Sequence, residues 1–120
     1  MLRFRLLKQM RTQKKFKSIE ELAEMVKPIL ENYPVQKAIV FGSASRGDLS
    51  KKSDVDMVIL ENTSKRFFER YEGIYLELNR VLGTIVDLLI YTPEEWEKIS
   101  KRSFIRRIIE EGKIIYGSQI

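Results

Sequence analysis

Three short apolar runs, at residues 35–41, 54–60 and 84–91, restrict the fold more than any other feature, because the stretches between them carry apolar residues at helical spacing. Strands this apolar need cover on both faces. Their alternation with helices from Ser18 onward predicts one mixed sheet flanked by helices, an α+β architecture in a single layer of strands. The helical stretches carry their own punctuation. Ser18 followed by Glu21 is a capping box, and Ile19, Leu22, Val26, Ile29, Leu30 and Tyr33 continue a helix to about residue 32, with Pro28 expected to kink it. Phe67, Tyr71, Ile74, Tyr75, Leu78 and Leu82 mark one face of a second long helix, ended by Gly83, and read as core rather than as a base-stacking surface. Thr92, Pro93 and Glu95 open a third helix; a fourth, around Phe104 to Ile109, ends at Gly112 and leads into an edge strand at residues 113–116.

With 120 residues, 43% of them hydrophobic, the chain has material for one core and one domain. Cysteine and histidine are absent, which excludes disulfides, thiolate or imidazole zinc sites, a cysteine nucleophile and histidine acid–base catalysis. Carboxylates must carry any metal. The net charge of +5 is concentrated at one end, since residues 1–17 hold seven basic side chains and no acidic one. The expected division is therefore a basic N-terminal segment, 1–17, and a single domain, 18–120, with nucleic acid contact expected at most through the segment. Leu2, Phe4, Leu6, Leu7 and Met10 give that segment an apolar side, which suits a partner-docking, RNA-touching or membrane-surface helix as well as a frayed terminus. No stretch has the length of a bilayer span or the pattern of a secretory signal, so the expectation is a cytoplasmic protein without a membrane.

The chemistry concentrates between the first two strands and in the third. Gly42 lets the chain turn sharply after an apolar strand, and Ser43 then offers a hydroxyl and backbone N–H groups at a short helix start, a cradle for phosphate. Asp54 and Asp56, two apart at the start of the next strand, point to one face and suit a hard divalent cation. Asp87 has apolar residues on both sides, so burial would leave its charge needing a partner, and a cation shared with Asp54 and Asp56 would supply it. Three such carboxylates beside a phosphate cradle suit two-metal phosphoryl or nucleotidyl transfer.

The segment Val40-Phe41-Gly42-Ser43-Ala44-Ser45-Arg46-Gly47-Asp48 through Ser53-Asp54-Val55-Asp56, together with Val86-Asp87-Leu88, resembles the minimal nucleotidyltransferases of the DNA polymerase β superfamily. That resemblance implies a polymerase β-like nucleotidyltransferase fold, ATP as donor and a two-metal Mg²⁺ site. It implies transfer of a nucleoside monophosphate to a hydroxyl with release of pyrophosphate. By position, Asp54, Asp56 and Asp87 would be the catalytic metal ligands, and Gly42, Ser43 and Arg46 would hold the triphosphate. An arginine often found two positions before Arg46 in that family is Ala44 here, leaving Lys51, Lys52, Lys65 or Arg66 to supply charge. The chain has no length for a second, acceptor-holding domain, so the acceptor site is expected to be shallow or shared. The family's usual partner is a helical HEPN protein, in some cases a toxin that the transferase adenylylates. The leading expectation is thus a protein adenylyltransferase acting as the antitoxin of a HEPN pair, in a homo- or hetero-oligomer. The alternatives are a module that binds nucleotide or masks a partner without catalysis, and a dimeric small-molecule transferase of the aminoglycoside type.

Overall fold

A computed structural model of the chain describes residues 15–47, 49 and 54–117. The expectations for residues 1–14, for Asp48 and for Lys51, Lys52 and Ser53 lie outside the described residues. Four strands form one sheet: β1 (Val35–Phe41), β2 (Val55–Glu61), β3 (Val86–Tyr91) and β4 (Lys113–Gly117), in the order β3-β2-β1-β4. β1 runs antiparallel to both β2 and β4, whereas β2 and β3 are parallel. This is the mixed α+β sheet that the apolar runs predict.

Helix α1 (Ile19–Leu30) starts where the Glu21 N–H donates to Ser18 Oγ at 3.1 Å, a cap worth about 1 kcal/mol. Helix α2 (Ile74–Leu82) packs beside it. Leu22, Val26 and Leu30 of α1 and Ile74, Leu78 and Leu82 of α2 are buried against Val40, Met57 and Ile90 of one sheet face. Phe16, from the basic segment, joins this core, and the Lys15 N–H donates to the Leu82 carbonyl. The opposite face carries Ile39, Val58 and Leu60, covered by α3 (Pro93–Ile99) and by Ile105 and Ile108 of α4 (Ser103–Glu111). Thr92 and Glu95 bond each other's backbone N–H as the box predicts, at 2.9 and 3.2 Å. Among the described residues no helix is long and apolar enough to cross a membrane.

Two elements depart from the sequence reading. α1 stops at Leu30, two residues short of the predicted end, and helix geometry persists through Pro28. The long helix expected over residues 67–82 is broken into a 3₁₀ segment, Phe67–Tyr71, and α2. Gly73 makes the break with φ +78, and a Cβ there would meet Tyr33 Oη at 2.9 Å. As a result Tyr71 and Tyr75 pack on the core, but Phe68 stands 84% exposed and Phe67 is 39% exposed, outside the core.

Candidate active site

Side chains alternate along a strand, so the face that carries Val58 and Leu60 of β2 also carries Asp56. Parallel pairing then fixes what stands beside it. Asp56 of β2 is in register with Asp87 of β3 on one side and with Phe41, the last residue of β1, on the other. Asp56 is half-buried, and its carboxyl is pushed up to about 6. Burial is the main cause, followed by the Asp87 charge, a side-chain hydrogen bond with Asp87 and the charge of Asp54. A cation beside Asp56 would offset the neighbouring negative charge and favour its ionised form.

Asp87 itself is exposed, which corrects the burial inferred from its apolar neighbours. β3 is an edge strand, and α4 packs over β1 rather than over the start of β3. Its partner is a like charge. Asp54 lies immediately before β2, close enough for its charge to act on Asp56. Among the described residues no three acidic side chains form a group compact enough to hold a metal ion. What the structure brings together is the pair. Hard oxygen donors in a facing pair fit Mg²⁺, which binds through one or two carboxylates and completes its shell with water and substrate phosphates.

Gly42 turns the chain away from β1 with φ +72, and a Cβ at this position would overlap Asp56 Oδ2. Glycine is thus required twice, by the dihedral and by the carboxylate against which the backbone rests. The helix start expected after it is a 3₁₀ turn, Ala44–Arg46, stabilised by the Ser45 hydroxyl donating to the Gly42 carbonyl at 2.8 Å. Ser43 is half-buried at the head of this turn, and Arg46 is exposed at its end. Gly42, Arg46 and Asp56 form the floor of a cleft of about 320 Å³. Its far wall is α4, through Phe104, Arg107 and Glu111. The Phe104 ring meets Phe41 edge-on at 6.0 Å.

The sequence reading did not find this wall. Residues 104, 107 and 111 form one stripe of a helix, but which strand end that stripe overlooks is decided by packing. Lys65 and Arg66 follow the opposite end of β2 from Asp56 and do not line the cleft.

Residues 13–116 match the family model described as "Nucleotidyltransferase domain". Two relatives from Methanocaldococcus jannaschii, both named "putative protein adenylyltransferase", are 30% and 29% identical to the chain. The first alignment covers 84% of this chain and 97% of the relative, the second 68% and 79%. Among solved structures, a chain from a toxin–antitoxin crystal structure with AMP-PNP superposes with a TM-score of 0.60 at 23% identity, covering 81% of this chain and 74% of that one. A chain from the complex of a tri-AMPylated Shewanella oneidensis HEPN toxin with MNT antitoxin gives 0.56 at 20% identity, covering 84% and 74%. These structural likenesses speak for the fold; the family match reaches the residues of the site, since Gly42, Arg46, Asp56, Asp87 and the α4 wall all lie inside the matched span. The chain belongs to the nucleotidyltransferase domain family, whose reaction is nucleotidyl transfer.

Proposed function

We propose that the chain moves AMP from ATP to a hydroxyl of a protein partner, and that this partner is a HEPN protein for which the chain acts as antitoxin. The observation that carries the reading is the in-register pair Asp56 and Asp87 beside the Gly42 turn. Asp56 and Asp87, with Asp54 adjoining, would hold Mg²⁺; when bound, it supplies charge compensation at the transferred phosphorus and acidifies the acceptor hydroxyl. Gly42 lets the phosphates approach the backbone, Ser43 heads the turn that receives them, and Arg46 offsets their charge. A cleft of about 320 Å³ is at the small end of ligand sites, which suits a donor nucleotide and leaves the acceptor to approach from its open rim. The acceptor therefore comes from outside the cleft, as a side chain on a protein surface does. Relatives named as protein adenylyltransferases support a protein acceptor, and the MNT–HEPN complexes among the structural neighbours support its kind.

A partner-masking module without catalysis is the second reading, favoured by the absence of a compact three-carboxylate group among the described residues. Replacing Asp54 and Asp56 together by Ala separates the two. A transferase loses nearly all activity and with it the power to neutralise the partner, whereas a masking protein keeps its effect.

A further inference from the structure

We propose that Arg107 of α4 binds the phosphate tail of the nucleotide donor, an assignment that rests on the nucleotidyl-transfer reading above. A cleft with Asp56 on its floor and Glu111 on its wall repels a polyanion unless fixed positive groups offset them. The cleft has two guanidinium groups, Arg46 on the floor and Arg107 on the α4 wall. Both are exposed, and no carboxylate among the described residues comes within ion-pairing distance of either. The neighbouring Arg106, by contrast, lies toward Glu110 at 3.9 Å and does not line the cleft. Ala44, buried in the floor turn, brings no charge.

The position of Arg107 is fixed from two sides. Ile105 and Ile108 are buried against the sheet, which sets the rotation of α4, and the Phe104 ring one turn earlier rests on Phe41. The stripe at 104, 107 and 111 consequently faces the Gly42 turn, placing a planar two-pronged donor across the cleft from Asp56. Glu111, one turn further along the same stripe, opposes it and weakens attraction for phosphate.

Calorimetric titration of the full chain with ATP and with AMP, both in Mg²⁺, tests the assignment. Arg107→Ala should weaken ATP binding by about tenfold or more while changing AMP binding by less than about twofold, because a charge-assisted phosphate bond is lost and the nucleoside contacts remain. Arg107→Lys should fall between, and Glu111→Gln should tighten ATP. These shifts of opposite sign at two exposed positions are not produced by loss of folding. Equal losses for ATP and AMP, or unchanged ATP binding in Arg107→Ala, would overturn the assignment and leave the transferase reading standing. A native chain that binds no ATP would overturn both.

Discussion

Gly42 carries the sharpest steric demand of any single residue in the site. Its positive φ and the Asp56 oxygen behind it mean that Gly42→Ala should cost about 1–3 kcal/mol of stability and displace the carboxylate as well. A thermal melt and a transfer assay on the same variant check both, and a melt within experimental error of the native one would refute the demand. Glu61, at the other end of β2, is 2% exposed, its Oε2 has no hydrogen-bond partner among the described residues, and burial pushes its carboxyl up despite the nearby charges of Lys65 and Arg70. A carboxyl raised above its ordinary 4.5 contributes stability at low pH that is lost as pH climbs through the raised value. Glu61→Gln should therefore outlast the native chain in denaturant at pH 8, by about 1 kcal/mol, with the advantage gone near pH 4. Asp56 and Asp87 stood out in the sequence because a carboxylate inside an apolar run is uncommon. The exposure of Asp87 did not, since apolar flanks look alike on a roofed strand and on an edge strand.

Elements announced by their own caps and periods were readable, and those decided by distant contacts were not. The caps at Ser18 and Thr92 start α1 and α3 as predicted, because each is settled within four residues; the box is reciprocal at Thr92, whereas at Ser18 the hydroxyl alone caps. The break at residues 71–73 reflects partners far along the chain. Arg70, 7% exposed, donates to the Lys65 and Ile90 carbonyls and bridges both oxygens of Glu95 at 2.6 and 3.0 Å. A helix continuing straight through residue 71 would sacrifice that arrangement. The outer edge of β3 is closed in the same way: the Val86 N–H donates to Asn79 Oδ1 at 2.7 Å and the Ile90 N–H to Tyr71 Oη at 3.0 Å. Side chains that occupy both ends of this edge blunt it as a strand-pairing template. Arg70, then the backbone of Thr92, holds the Glu95 carboxyl down to about 2, so this carboxylate contributes stability above its ordinary 4.5 that is lost as pH falls toward 2. Glu95→Ala should cost about 1–2 kcal/mol at pH 7, by stranding Arg70, and should flatten the acid side of the stability profile. Equilibrium urea unfolding between pH 3 and 7 measures both; a variant as acid-sensitive as the native chain would count against the bridge.

At the scale of the molecule, one sheet serves two purposes. Its α1–α2 face is a dry core, while the other face runs from the α3–α4 cover to an uncovered rim where Asp56, Asp87 and the Gly42 turn meet. The core could be read from hydrophobic periodicity. The rim could be read only as far as strand-borne carboxylates and a glycine turn reach; its α4 wall arises when the last helix folds back over β1, which no local pattern specifies. Nucleotidyl rather than phosphoryl transfer is the reaction that this rim supports. The most direct test supplies the chain and a HEPN protein, the acceptor proposed above, with Mg²⁺ and ATP labelled in turn on the α- and the γ-phosphate. Label should enter the partner from the α-position alone and disappear with Asp56→Asn; incorporation from the γ-position, or undiminished incorporation by that variant, would contradict it.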